Sequence, residues 1–394
     1  MNFDFSTAID RSKTNGEKYT LREALFKTEE VIPMWVADMD IETPTCVLEA
    51  VQKRALEPIY GYEEVGDSVF EAQIAWMEKR HGVSLKREWM LYSHSVVASI
   101  SVAIQAVTKP GDKVIVQGPI YPPFFKQVTL NGREVLHNPL KKDAEGRYSF
   151  DIEDLRSKID SSTKLLLLCS PHNPVGRVWS QKELQELSDL CIEHDITIFS
   201  DEIHSDLIYS GHKHTPLISL GKEVKAKTIT AIGPGKSFNL AGLAISTVVI
   251  SDEALRERYK ATYDAIHFAQ GNVFGSVGFE TAYREGEAWL DALLEHLDRN
   301  VLKLEKMLSQ YKDLIRFQRP EGTYLAWLDC SGMGLSNRGL RDFFVKKAAL
   351  GLSPGISFSK EGSQYMRLNF AVPTDTMDEA IAQLDLALSS FDQY

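Results

Sequence analysis

Asn173, Asp201 and Lys236 each follow an apolar run typical of a buried strand, and their side chains suit one kind of chemistry. A lysine in a desolvated pocket has a lowered pKa, so its neutral amine can form a Schiff base with an aldehyde. A carboxylate keeps a pyridine nitrogen protonated, so that the ring can act as an electron sink. An asparagine amide can donate to a phenolate oxygen on the same ring. The three residues are therefore candidates for binding a pyridine aldehyde.

Other chemistries have weaker support in these loops. The run Gly233–Ser237 resembles the end of a P-loop, but position 230, where that motif needs its first glycine, is Thr230. Asp201, His204 and Asp206 have a spacing that metal ligands can have, yet no HExxH motif or cysteine partner accompanies them. Capping and loop polarity after a strand are the alternative explanation. Neither GxSxG nor GxGxxG occurs, which disfavours acyl hydrolysis and dinucleotide binding.

Composition narrows the class of protein. The 394 residues include 44 basic and 55 acidic side chains, and the net charge of −11 argues against a sequence-independent nucleic-acid binder. The apolar share of 43% and charged share of 25% are those of a globular protein. Four cysteines without CxxC spacing are expected to be reduced core residues. The sequence shows no signal-peptide pattern and no run of about 18 apolar residues, so we expect a cytoplasmic protein.

Strand and helix patterns alternate through the middle of the chain. The predicted strands are Lys164–Ser170, Ile196–Phe199, Thr228–Ile232 and Ser246–Ile250, and a capping box at Ser180–Glu183 begins a helix after the first strand. This order indicates βαβ units and a mostly parallel sheet. Ligands usually bind at the loops that follow the carboxyl ends of such strands.

The pattern changes at Trp289, where leucines at spacings of three and four predict a long amphipathic helix that ends at Leu308. Short strands are predicted at Tyr324–Leu328 and Met366–Phe370. We therefore expect an α/β fold with a large domain and a smaller α+β domain that the N-terminal segment joins. The predicted boundaries are 1–47 for the N-terminal segment, 48–288 for the large domain and 289–394 for the small domain.

Seven short segments, in an order that spans most of the chain, carry a family resemblance: Pro33–Asp40 (PMWVADMD), Tyr60–Tyr62, Pro119–Phe124, Ser170–Gly176, Asp201–Asp206 (DEIHSD), Lys236–Gly242 and Arg367–Phe370. Together they resemble the cystathionine β-lyase (C–S lyase) branch of the class I/II aminotransferase family. These are fold-type I enzymes that depend on pyridoxal 5′-phosphate. The resemblance implies that the large domain binds this cofactor.

The resemblance also implies roles for individual residues. Lys236 should form the Schiff base with the cofactor and move the substrate Cα proton. Asp201 should pair with the pyridinium nitrogen, Asn173 should donate to the ring oxygen, and Tyr121 should stack on the ring face. Arg367 should hold the substrate α-carboxylate through a bidentate fork.

Five further positions follow from the same resemblance. The backbone amides of Val96 and Val97 match a helix N-terminus that receives the cofactor phosphate. Tyr62 matches a residue that reaches the phosphate of the partner subunit, which implies a homodimer with shared active sites. His204 is expected beside the cofactor, where many aminotransferases place a tyrosine. Ala37 is expected at the substrate.

Two departures from the family pattern concern the phosphate. Aminotransferases usually carry an arginine eight residues after the lysine, but this chain has Ala244 there. Relatives often have a serine immediately before the lysine or three residues before it, and this chain has Gly235 and Gly233. The phosphate site is therefore expected to lack a cation and a hydroxyl.

Three functions are compatible with these residues. The first is α,β-elimination from cystathionine or another cysteine S-conjugate, which yields a thiol, pyruvate and ammonia. The second is transamination, which shares the early steps and then returns the proton to the cofactor instead. The third is a regulatory protein that binds a partner through the same fold. The branch-specific segments favour the lyase.

Overall fold

The computed structural model describes residues 3–11, 13–268 and 270–391, and its centre is a seven-stranded sheet. From one edge to the other the strands are Met90–Ser93, Ser246–Val249, Thr228–Ile232, Thr197–Asp201, Thr163–Cys169, Lys113–Val116 and Glu134–His137. Ser246–Val249 runs antiparallel to both of its neighbours, and the other neighbouring pairs are parallel. The predicted α/β fold with a mostly parallel sheet is confirmed.

The strand Thr163–Cys169 is buried on both faces because its apolar run is nearly continuous. Leu165 and Leu167 belong to the core on one face of the sheet, and Leu166 and Leu168 belong to the core on the other. Leu167 lies opposite Phe199 on the next strand. Because the strand is apolar on both faces, helices pack against both faces of the sheet. The carboxyl ends of the parallel strands lie at one edge of the sheet.

Helices cover both faces and connect the strands. The predicted capping box is present: the Ser180 hydroxyl accepts from the Glu183 backbone and begins helix Gln181–Glu193. The helices of the N-terminal two thirds are Glu17–Thr20, Arg22–Phe26, Thr45–Ala55, Asp67–His81, Val96–Val107, Pro123–Leu130, Ile152–Lys158, Gln181–Glu193, Lys222–Ala226, Glu253–Ala265 and Val273–Glu285.

A second, antiparallel sheet lies in the C-terminal part of the chain. Its strand order is Arg316–Phe317, Leu325–Asp329, Tyr365–Asn369 and Ser353–Pro354. The C-terminal helices are Glu287–Leu308, Asn337–Lys346 and Thr374–Ser389. The first of these is the predicted amphipathic helix, and its buried leucines share one core with Leu325 and Leu368 of the sheet.

The N-terminal segment pairs with the C-terminal part of the chain. Strand Ile32–Pro33 runs parallel to Leu350–Gly351, with Ile32 opposite Leu350. The remaining short pairing joins Lys141–Lys142 to Tyr148–Ser149. Within the described ranges, no helix combines the length and the apolar character that are needed to cross a membrane.

Candidate active site

A cavity of about 570 Å³ opens where the carboxyl edge of the large sheet faces the smaller sheet. Its lining includes Ala37, Val96, Val97, Tyr121, Asn173, Asp201, His204, Lys236 and Arg367. Every predicted site residue except Tyr62 therefore meets at one place. Asn173, Asp201 and Lys236 lie at or just after the carboxyl ends of strands of the large sheet, and the parallel arrangement of those strands brings them together.

Lys236 stands in the turn that follows strand Thr228–Ile232, and its Nζ donates to the backbone carbonyl of Ala37 at 2.5 Å. Burial lowers the pKa of Lys236 to about 8, and the positive charge of Arg367 acts in the same direction. A substantial fraction of the amine is therefore neutral near pH 8 and able to attack an aldehyde.

The Ala37 carbonyl is a feature that sequence reasoning missed, since only a general substrate role was predicted for Ala37. Tyr324 also donates to this oxygen, at 2.8 Å. The Asn369 side-chain amide donates to the carbonyls of Val36 and Asp38, both at 2.6 Å, and so fixes the backbone on either side. The available clue was Asn369, two residues after Arg367, because an asparagine amide can donate to backbone carbonyls of extended segments.

Asp201 is the last residue of strand Thr197–Asp201 and is 7% exposed. Burial raises its pKa to about 7, although the Ile203 amide donates to its Oδ1 at 3.1 Å. In the described part of the chain no basic side chain lies within 4 Å of this carboxylate. Such a group is ready to pair with a cation that enters the cavity.

Arg367, on strand Tyr365–Asn369, reaches the cavity from the smaller sheet. Its Nη1 donates to Asn173 Oδ1 at 3.0 Å, and its Nη2 donates to the carbonyl of Trp35 at 2.6 Å. The guanidinium stacks over the Phe358 ring, and burial lowers its pKa to about 10. Its buried Nε has no hydrogen-bond partner within the structure's described residues, so one donor is available to an anion.

Two aromatic side chains, Tyr121 and His204, also line the cavity. Burial raises the pKa of the Tyr121 hydroxyl, so this side chain is neutral at physiological pH. His204 is 3% exposed and packs its edge against Tyr324. Burial lowers the pKa of His204 well below its usual range, and its buried Nδ1 lacks a partner among the described residues.

The helix Val96–Val107 begins at the cavity. Ser95 is its N-cap, and the Ser95 hydroxyl accepts a hydrogen bond from the Ala98 amide at 3.2 Å. The amides of Val96 and Val97 lie in the first turn, where the helix has no carbonyl placed to accept from them. Free amides at the N-terminus of a twelve-residue helix form an anion site. Gly235 lines the cavity, and Ala244 adopts a left-handed conformation. The expected lack of a cation and a hydroxyl at the phosphate stays a prediction.

Tyr62 lies away from this cavity and is 93% exposed. Its neighbours include Arg54, Ile59 and Glu63, around a shallow surface depression. The structure of the single chain therefore does not bring Tyr62 to the other site residues. The family resemblance assigns Tyr62 to the partner's site, and this assignment stays a prediction.

The Asp201–Asp206 loop has other partners for its polar side chains. Asp206 accepts from Ser237, Trp76 and His81, and His214 lies 3.0 Å from Glu202. Among the described residues, no group of three or more histidine, cysteine, aspartate or glutamate side chains is placed to hold a metal ion.

The cavity fits pyridoxal 5′-phosphate. The donor set offers an amine with a lowered pKa for the aldehyde, an unpaired carboxylate for the pyridinium and free helix amides for the phosphate. The orphaned Nε of Arg367 and Nδ1 of His204 point to a polar occupant, because buried donors and acceptors are normally paired. The fit thus rests on the chemistry of the residues that line the cavity.

Comparisons with known proteins agree with this geometry. The family model for aminotransferase class I and II matches residues 29–384. The chain is 39% identical to cystathionine beta-lyase PatB of Bacillus subtilis (strain 168), over 99% of this chain and all of that protein.

Two solved structures are also similar. Cystalysin from Treponema denticola, which contains a pyridoxal 5′-phosphate cofactor, superposes with a TM-score of 0.95 at 32% identity, covering 99% of this chain and 100% of that one. The PLP-bound C–S lyase from Staphylococcus hominis gives a TM-score of 0.89 at 34% identity, with 98% and 99% covered. The chain belongs to the aminotransferase class I and II family.

Proposed function

We propose that this protein is a carbon–sulfur lyase that depends on pyridoxal 5′-phosphate and cleaves cysteine S-conjugates such as L-cystathionine. The observation that carries the proposal is the amine of Lys236, which has a lowered pKa and shares one cavity with Asp201 and Arg367. The similarity to a cystathionine beta-lyase over nearly the whole chain supports the same reaction.

The bound cofactor supplies a protonated conjugated ring that stabilises negative charge at the substrate Cα. Asp201 keeps the proton on the ring nitrogen, and Asn173 donates its side-chain amide to the ring oxygen. Tyr121 packs on the ring face, and the amides of Val96 and Val97 bind the phosphate. The presence of all these residues in the lining of one cavity supports these assignments.

Arg367 binds the substrate carboxylate, and its stacking on Phe358 holds the guanidinium in place. Lys236 Nζ takes the proton from Cα, and the electron pair left behind forms the Cα–Cβ double bond as the thiolate leaves Cβ. Water then hydrolyses the released 2-aminoacrylate to pyruvate and ammonia. The Ala37 carbonyl accepts a hydrogen bond from the amine of Lys236 when the lysine is not covalently bound.

Pyruvate release from L-cystathionine, without an oxo-acid acceptor, tests this proposal. We expect many equivalents of pyruvate per subunit, and none from the Lys236→Ala variant. Release of no pyruvate, with conversion of the bound cofactor to its amine form, would assign the protein as an aminotransferase instead. A protein that carries the cofactor but changes neither substrate nor cofactor would point to the partner-binding alternative.

We also propose a homodimer in which Tyr62 completes the partner's site. The segment 56–62 supports this proposal because Leu56 is 83% exposed, Ile59 is 76% exposed and Tyr62 is 93% exposed. Large apolar side chains grouped on a surface are typical of an interface. In this dimer, an amino-acid substrate binds in each of the two cavities. The cytoplasmic location of the protein stays a prediction.

We further propose the division into segments 1–47, 48–288 and 289–394. The pairing of Ile32–Pro33 with Leu350–Gly351 supports the assignment of the N-terminal segment to the small domain.

A further inference from the structure

Asp206, the last residue of the Asp201–Asp206 loop, has no part in the chemistry above but binds three side chains. Ser237 Oγ donates to Oδ2 at 2.9 Å. Trp76 Nε1 donates to Oδ1 at 3.0 Å, and His81 Nε2 lies 2.8 Å from the same oxygen. Both carboxylate oxygens are therefore occupied, and the orientation of the carboxylate is fixed.

Asp206 is a charged acceptor although it is only 6% exposed. Burial opposes its ionised form, but the hydrogen bonds and charge of His81, together with the hydrogen bonds of Trp76 and Ser237, outweigh burial and lower its pKa. Hydrogen bonds to an ionised acceptor are stronger than neutral ones. The bond from Ser237 to Asp206 is therefore a firm link between two loops at the cavity.

Ser237 immediately follows Lys236 and is fully buried. The next residue, Phe238, packs its ring against Trp76, which belongs to the same helix as His81. On the other side of the turn, Asn239 exchanges hydrogen bonds with the Met39 backbone. The turn that carries Lys236 is thus held at residue 237 by a carboxylate and at residue 239 by the N-terminal segment.

We infer that Asp206 is a positioning residue that acts through Ser237 to fix the turn bearing Lys236. Helix Asp67–His81 anchors the carboxylate, the carboxylate anchors Ser237, and Ser237 fixes the turn from which the lysine side chain enters the cavity. This inference rests on the proposed role of Lys236. Asp206 touches neither substrate nor cofactor in this arrangement.

Ser237→Ala removes the link and leaves Asp206 with its two other donors. The matched control is Thr247→Val, because the buried Thr247 hydroxyl donates to Gln73 Oε1 at 2.6 Å on the same helix Asp67–His81. Thr247 does not line the cavity. Both variants lose one buried hydroxyl, so a merely structural effect should lower Tm in both.

Three readouts separate positioning from stability. The first is the dissociation constant of pyridoxal phosphate, measured by titrating cofactor-depleted protein. The second is the midpoint pH of the absorbance change of cofactor-loaded protein. The third is the change in kcat compared with the change in KM. We expect Ser237→Ala to weaken cofactor binding roughly tenfold, to move the midpoint and to lower kcat more than it changes KM. Thr247→Val should leave all three readouts within about twofold of wild type.

Wild-type values for all three readouts in Ser237→Ala would overturn the inference, as would equal changes in Thr247→Val at an equal loss of Tm. Failure of the proposed function is a separate result. If the wild-type protein released no pyruvate, cofactor affinity and the midpoint pH would still report whether Ser237 positions Lys236.

Discussion

Lys236 and Asp201 are ionisable side chains whose neutral forms are favoured by burial. The pKa of the lysine falls to about 8 and the pKa of the aspartate rises to about 7. A suitable ring in the cavity would give the lysine a covalent partner and the aspartate a cationic one. Residues kept in this condition reduce the stability of the protein without cofactor and are typical of functional sites.

Asp201→Asn tests this cost through the pH dependence of stability. Between about pH 4 and pH 7 the unfolded aspartate has lost its proton while the folded one retains it, so wild-type stability falls as the pH rises through that window. The asparagine has no such penalty and can still accept from the Ile203 amide. In calorimetry of cofactor-depleted protein we expect a higher Tm for the variant at pH 8 and little difference at pH 4.

The same variant should lose pyruvate release by roughly a hundredfold or more, because the ring nitrogen loses its anionic partner. An equal Tm gain at both pH values would contradict the assigned titration. Unimpaired pyruvate release would contradict the role of Asp201 as the partner of the ring nitrogen.

Gly235→Ser is expected to strengthen cofactor retention by supplying a hydroxyl at the position where related enzymes often carry a serine. A Cβ at Gly235 would come no closer than 3.8 Å to Ala241, so the side chain fits. Gly233→Ser is the matched contrast, since its Cβ would lie 2.9 Å from the Ser246 backbone. Slower cofactor release from Gly235→Ser, together with poor folding of Gly233→Ser, is the expected pair of results. Faster release from a folded Gly235→Ser protein would refute the placement.

At the scale of elements, the amino end of helix Val96–Val107 is the part of the fold assigned to the phosphate. Val96→Pro tests it, because proline suits the first helical position and the preceding Ser95 is already extended. The substitution removes the amide hydrogen of residue 96 and replaces the buried valine side chain by the apolar proline ring. We expect pyridoxal phosphate to bind about tenfold more weakly, a typical loss for a hydrogen bond to a charged group.

Pyridoxal, which has no phosphate, is the control ligand for Val96→Pro. Its affinity for the variant should equal its affinity for wild type. A similar loss for both ligands would show that the helix had shifted and that the amide has no specific part in phosphate binding.

Four strands of the large sheet could be predicted because buried parallel strands leave continuous apolar runs. The four-residue strands Met90–Ser93, Lys113–Val116 and Glu134–His137 were not predicted. Thr163–Cys169 and Thr228–Ile232 lie within a residue of the predicted bounds, and the capping box at Ser180 was visible in the sequence. Short strands of the second sheet, such as Arg316–Phe317, have too few residues to show a period.

The contacts around Lys236 could not be predicted in this way. Tyr324 and Ala37 are 287 residues apart, and their hydrogen bond exists only after both sheets have formed. The bond between Ser237 and Asp206 likewise joins two loops whose separation is set by strand packing. Residue types, their order and the family resemblance predicted side chains that line the cavity, whereas the groups that hold those side chains depend on tertiary structure.

At the scale of the whole molecule, the cavity is built by three distant parts of the chain. Lys236 comes from the large sheet, Arg367 comes from the smaller sheet, and the Ala37 carbonyl comes from the N-terminal segment. A change in the relative position of the two sheets would therefore separate the lysine from the arginine. Substrate binding through Arg367 is expected to favour the arrangement in which they are close.

The proposed shared site predicts complementation between two defective proteins. Lys236→Ala and Tyr62→Ala should each be impaired alone, because one lacks the reacting amine and the other lacks a contact to the partner's phosphate. Random mixing after refolding should give mixed dimers in which one site carries both defects and the other carries neither. We expect pyruvate release from about a quarter of all sites. No gain on mixing, in a sample shown by mass to contain mixed dimers, would contradict the placement of Tyr62.

The pairing of Ile32 with Leu350 has a consequence for how the protein is made. Synthesis proceeds from the amino end, so the segment that supplies the Ala37 carbonyl leaves the ribosome long before its partner strand exists. The large sheet, whose last strand ends at Val249, can form during translation, but Tyr324 and Asn369, which fix the Ala37 carbonyl and the backbone beside it, are made only when the chain is nearly complete. The enzyme therefore acquires a finished cavity at the end of its biosynthesis, and a nascent chain stalled before residue 350 would lack it.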